Sequence, residues 1–153
     1  MVRLAELTEA MQASVTGAPC QRFDGNPWVA VDSLADRTVA IVSSAGLALA
    51  NERPFRGGEN GYREIPHNAP ASDVMMSHIS VNYDRVGYQL DLELVLPRQR
   101  LNELAEENVI GNVADTHYSF MGATDPAQME GRARELGRRM VERGVDTALL
   151  LPV

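Results

Sequence analysis

Lysine is absent from this chain; all fourteen basic residues are arginine. An all-arginine complement suits bidentate contacts with carboxylate or phosphate, and base composition of the coding DNA accounts for it equally well. Positive charge is also scarce. The net charge of -7 and an isoelectric point near 4.9 leave no basic face for nucleic acid. The same balance disfavours an anionic membrane surface. Cysteine is reduced to Cys20, so an internal disulfide framework is excluded. Cys20 follows Pro19 in a polar, irregular stretch, which reads as a passive thiol rather than a nucleophile. No apolar run approaches the roughly 18 residues of a membrane span. The first ten residues carry acids and lack the apolar segment of a secretory signal. The location expected from these absences is cytoplasmic. Motifs with metal or nucleotide chemistry are missing as well: no HxxxH or HExxH pair, no GxGxxG and no P-loop. Neither a metal nor a bound cofactor is implied by the motifs.

What is present reads as one α/β domain behind a short leader. Residues 1–36 form an N-terminal helix and connector, and residues 37–153 the α/β domain. Leu4, Leu7 and Met11 have helical spacing, as a short amphipathic helix or an arm on a partner. Residues 15–37 are rich in Gly, Pro and Asp, with Trp28 and Val29 as the expected anchors of the connector. Arg37 to Gly46 is β-branched, apolar on both faces and ends in small residues, as a central parallel strand does. Asn51 to Ser72 reads as a long polar loop, and loops of this length are often functional. A short strand is expected at Val74–Ser80. Leu90–Leu96 alternates and then turns apolar. Pro97 opens a helix with Leu101, Leu104 and Ala105 on one face. Residues 112–122 form a loop or short strand. Asp125 and Pro126 cap a longer helix, with Met129, Ala133, Leu136 and Met140 spaced for burial. Gly144 ends that helix, and Val145–Val153 follows as a buried strand. The resulting fold class is a Rossmann-like three-layer sandwich with a mostly parallel sheet, lacking its C-terminal part.

Candidate chemistry gathers in three places. Ser43-Ser44-Ala45-Gly46 ends the first strand, where small residues let backbone N–H groups approach an anion, or simply pack a tight turn. Ser77-His78 follows an apolar stretch, and Asp84 is spaced to orient the imidazole as acid, base or ligand; a lone histidine is more often structural. His117-Tyr118-Ser119 places an imidazole, a phenol and a hydroxyl together, suited to holding a carboxylate or to packing under a loop. No spacing joins His67, His78 and His117 as a metal site. Glu93, Glu103, Glu106 and Glu107 read as solvated faces, and the arginines from Arg132 to Arg143 as the wet side of the last helix.

These groups stand in a longer order of words: Ser44-Ala-Gly46, Pro54-Phe55, Gly61-Tyr-Arg-Glu-Ile-Pro66, Ser77-His78, Asn82-Tyr-Asp-Arg85, then Pro97-x2-Arg100-Leu101-x2-Leu104, Ile110-Gly111, His117-Tyr-Ser-Phe-Met-Gly122 and Gly144-Val-Asp146. From about Thr38 to Val153 this resembles the selenoprotein B family of glycine, sarcosine, betaine and D-proline reductases. The resemblance implies reductive cleavage of a carbon–nitrogen bond in a small amino acid or amine. A selenolate or thiolate displaces the amine, and a dithiol or redox protein resets it. A selenolate is ionised at neutral pH where an ordinary thiol, with a pKa of about 8.5, is mostly not. In such relatives the Leu-Leu-x-Pro-Val strand leads directly into selenocysteine or cysteine. Here the last residue is Val153. The expectation is therefore a chain ended at an in-frame UGA codon, inactive as written, with selenocysteine following Val153 in the full-length protein. A domain boundary, or a subunit that never carried the nucleophile, remains open beside it. The resemblance assigns proton transfer or substrate orientation to His78 and Asp84. It sets His117, Tyr118 and Ser119 opposite the nucleophile and puts Ser44 and Gly46 in the pocket floor. Two other readings stand: a non-catalytic assembly or binding subunit, and a racemase- or decarboxylase-like α/β enzyme. A final strand without its covering helix predicts a homo-oligomer.

Overall fold

The computed structural model describes residues 3–17, 25–26, 29–30, 33–80 and 85–153. Cys20, Trp28 and Asp84 lie outside the described residues. The centre is β1 (Thr38–Ser43), whose Val39, Ala40, Ile41 and Ser43 are buried. Its β-branched, uncharged sequence suits a strand covered on both faces. The final strand, here β7 (Thr147–Leu151), pairs parallel with β1 along its length, from Val39↔Thr147 to Ser43↔Leu151.

Two strands share the other edge of β1. The first, β5 (Asn112–Val113), pairs parallel at Thr38 and Val39; the second, β6 (Thr116–Phe120), pairs parallel at Val42 and Ser43. Three steps along β1 are matched by five along the facing chain, from Val113 to Tyr118. The ladder is therefore bulged between them. An antiparallel strand, β3 (Tyr62–Pro66), closes the far edge against β6. A separate ribbon pairs β2 (Leu47–Leu49) antiparallel with β4 (Val74–Met76).

Apolar side chains fill both faces of the sheet. One cluster joins Ala40, Tyr118 and Phe120 to Leu136 and Met140 of the long helix Pro126–Glu142. The opposite cluster joins Val39, Ile41 and Ile65 to Leu47, Val74 and Leu101. A fully buried Leu or Ile contributes about 1.5–3 kcal/mol, so these two layers dominate the folding energy. In chain order the helices are α1 (Glu9–Gly17), α2 (Val86–Leu90), α3 (Arg98–Glu106) and α4 (Pro126–Glu142). Asp125 caps α4 through Ala127 N–H at 3.0 Å, and Gly144 ends it at φ +74°. Glu93 caps α3: its Oε2 accepts from Gln99 N–H at 2.8 Å and Arg100 N–H at 3.3 Å.

The α/β reading, the central strand and the capped last helix match the structure. Several local readings do not. The stretch read as loop contains β3, held by pairing with β6 and carrying a single buried side chain, Ile65. Leu90–Leu96 is the end of α2 and a 3-10 turn, since Asp91 bonds Glu93 N–H and coils the backbone. Val29, expected as an anchor, is 80% exposed. Ala133 is exposed, although its spacing puts it in line with the buried Leu136 and Met140. The last strand is half-covered rather than buried: it lies at the sheet edge with Ala148 and Leu150 in solvent. Helix α1 buries no residue, and Met11 and Val15 remain exposed.

Candidate active site

Ser44 is the junction of three segments beyond the carboxyl end of β1. Its N–H donates to Leu151 O at 3.0 Å. Its Oγ accepts from Val153 N–H at 2.8 Å and lies 3.3 Å from Val153 O. Its carbonyl accepts from Gly122 N–H at 2.9 Å. A methyl on Gly122 would sit 2.6 Å from that carbonyl, so only glycine fits there. The end of β7 is thus fastened beside the turn after β1, the place where ligands collect in open α/β sheets.

The turn itself is closed. Ala45 N–H donates to Ser43 Oγ at 3.2 Å, Gly46 N–H to Phe120 O at 2.9 Å and Leu47 N–H to Ser119 Oγ at 2.8 Å. Every backbone donor from Ser44 to Leu47 has an internal acceptor, so the small residues serve close packing. Gly46 takes φ +66°, and a Cβ there would meet His78 Cα and Met121 Cε at 3.1 Å. This close approach sets His78 against the turn. Ser77 seals the contact: its N–H and Oγ both donate to Gly46 O, at 2.9 and 3.2 Å.

His78 is 6% exposed. Burial, and then the Arg85 guanidinium, push its pKa below the ordinary imidazole value. The ring is neutral at pH 7. Its Nδ1 accepts from Ser80 N–H at 3.2 Å, which places the proton on Nε2. Arg85 also donates to the His78 carbonyl. A neutral imidazole with a fixed tautomer, packed against the Gly46 turn, is suited to donating a proton at Nε2.

His117 lies deeper and on the same face as Ser119. It occupies the bulge between β5 and β6, where Ile41 N–H lacks a strand partner. His117 Nδ1 accepts that N–H at 3.1 Å. Its Nε2 must then carry the proton, and it faces His67 Nδ1 at 2.9 Å. His117 is fully buried. Burial, His67 and Arg98 together bring its pKa down to about 3. Arg98 is buried too, and one of its nitrogens donates to the carbonyls of His67 and Ala69 at 2.7 Å and Pro66 at 3.3 Å.

Tyr118 points to the α4 face, away from His117 and Ser119. Its hydroxyl lies 3.3 Å from an Arg143 guanidinium nitrogen, and Glu64 holds both Arg143 and Arg139. The structure therefore brings Ser44, Gly46 and His78 together with Ser119 beneath them. His117 sits below in the sheet, and Tyr118 on its far side. From the sequence His67 is weighed only as a metal ligand, with His78 and His117, and Arg98 is not singled out. His67 follows the quoted Glu64-Ile65-Pro66, and recognising that segment as a strand opposite His117 would have found it. Among the described residues no group of three His, Cys, Asp or Glu side chains is placed to hold a metal.

The chain belongs to the family of glycine/sarcosine/betaine reductase selenoprotein B, whose model matches residues 12–152. It is 32% identical over 120 residues to D-proline reductase subunit gamma of Acetoanaerobium sticklandii, covering 76% of this chain and 49% of that protein. It is 28% identical over 135 residues to sarcosine reductase complex component B subunit beta of Peptoclostridium acidaminophilum, covering 84% of this chain and 30% of that protein. The chain thus spans about half of the first relative and less than a third of the second. No solved structure gives a significant match.

Proposed function

We propose that this chain is the scaffold half of a selenoprotein-B-type reductase component that cleaves a carbon–nitrogen bond of a small amino acid or amine. The observation that carries this reading is the fastening of Val153 by Ser44, within a chain of this family. The nucleophile of the reaction is a selenocysteine or cysteine placed directly after Val153. That group would supply a two-electron nucleophile for carbon, ionised at neutral pH where it is a selenolate. What supports this placement is that the Ser44 hydroxyl accepts from Val153 N–H at the carboxyl-end turn of β1.

The residues present have defined tasks in this reading. Ser44 positions the strand end. His78, neutral with its proton on Nε2, protonates the departing amine. Asp84 orients the imidazole or substrate, His117 sits in the sheet behind, and Ser119 supports the turn from beneath through Leu47 N–H, while Tyr118 faces α4 and takes no part on the substrate side. The overall balance is simple. The carbon–nitrogen bond becomes C–H and N–H, while two thiols of a dithiol or redox partner become a disulfide. Both relatives are named as subunits, so a multi-subunit assembly is part of the proposal. The location proposed is cytoplasmic; no described helix is long and apolar enough to cross a membrane.

The test uses the full-length protein with dithiothreitol and glycine, sarcosine, betaine or D-proline. The reading predicts reductive release of an amine, or ring opening for D-proline, abolished by iodoacetate and lowered at least tenfold by His78→Ala. Failure with every substrate, together with no alkylatable selenol or thiol besides Cys20, overturns it and leaves an assembly subunit.

A further inference from the structure

The loop between β2 and β3 borders a cleft of about 540 Å³, lined by Arg53, Arg56, Gly57, Gly58, Arg132 and Glu135 among others. Its wall is organised around Glu59. Arg53 donates to both carboxylate oxygens, at 3.1 and 3.2 Å, Arg63 to one at 2.7 Å and Arg56 N–H to the other at 3.1 Å. Burial opposes ionisation of Glu59, but these hydrogen bonds outweigh it and hold the carboxyl below its usual pKa. Arg63 also lies 4.2 Å over the Phe55 ring. The carboxylate is saturated, and two guanidinium groups share it. Arg132 is matched by Glu135 at 2.7 Å. The Arg56 side chain is exposed, and among the described residues no carboxylate reaches it.

Positive charge is therefore in excess at this cleft, on a chain whose net charge is -7. Gly57 and Gly58 leave the adjoining wall open: a Cβ on Gly58 would meet nothing within 4 Å, and on Gly57 only Ile79 at 3.7 Å. We infer that this cleft binds a small oxyanion, carboxylate or phosphate, with the Arg56 guanidinium as its main contact and Arg53 as a further donor. A planar guanidinium fork matches either group bidentately, and a wall without side chains lets the anion approach the fork. The site does not depend on the reductase chemistry proposed above, and its test requires no turnover.

The test is a low-salt NMR titration of the arginine Nε–Hε signals with acetate and, separately, inorganic phosphate. Saturable shifts of the Arg56 signal are expected with at least one of them. Arg56→Gln should weaken binding at least fivefold, and Glu135→Gln, which releases Arg132, should tighten it about twofold or more. Arg100→Gln, on α3 and paired with Glu103, should change nothing. The stronger of the two probes assigns the site to carboxylate or phosphate. Linear, non-saturating shifts with both probes, or equal binding by Arg56→Gln, would overturn the inference.

Discussion

At the scale of single residues the buried histidine is the most informative group. His117 replaces a missing strand partner for Ile41 N–H, so it must accept at Nδ1 and stay neutral. Its folded pKa of about 3 lies well below the ordinary 6.5. Between those values the unfolded chain binds the extra proton and the native chain does not. Stability conferred by a neutral His117 is therefore complete above pH 6.5 and is lost as the pH falls toward 3, at up to about 1.4 kcal/mol per pH unit. Urea unfolding from pH 7 to 4 should show this slope in the native chain and a shallower one in His117→Gln. Equal slopes would remove the structural role. Arg98→Ala strips three carbonyls of their donor. A loss of about 3 kcal/mol is expected from charge-assisted bonds left unmade, read as a lower urea midpoint. Ser44→Ala should cost about 1 kcal/mol and speed amide exchange at Val153 about tenfold, while Ser44→Thr restores protection. Unchanged exchange in the alanine variant would deny Ser44 its positioning role.

Between elements, the carboxyl-end turn depends on glycine where two backbones touch. Gly122→Ala forces a methyl onto the Ser44 carbonyl. A loss of roughly 1–3 kcal/mol is expected from overpacking, with the β1–β7 ladder loosened at its carboxyl end in hydrogen exchange. The elements legible in the sequence are those whose signals are local. The β-branched run of β1, the Asp125-Pro126 cap and Gly144 at the end of α4 needed no tertiary information. The misread elements depend on partners far along the chain. Strand β3 hides in a polar stretch because it is an edge strand with one buried side chain. The exposed Ala148 and Leu150 belong to an apolar sequence, and only the sheet order reveals that nothing described covers them. The site was legible to the same extent. Ser44, Gly46 and His78 could be placed at strand ends by pattern, whereas the His67–His117–Arg98 cluster exists only because β3 and β6 pair.

For the molecule as a whole, the uncovered side of β7 lies at the place where the proposed nucleophile would be presented. Leu150 is 66% exposed, and Ala148 beside it on the strand is exposed as well. Apolar surface of this kind favours association. The 153-residue chain should accordingly run as a dimer or larger species in light scattering, and a monomer at high concentration would argue against an uncovered interface. The central claim is that the reacting group follows Val153. Intact-mass and selenium analysis of the native protein tests it most directly. The account predicts a polypeptide longer than 16.7 kDa with selenocysteine or cysteine immediately after Val153, and a native polypeptide of 16.7 kDa with neither would contradict it.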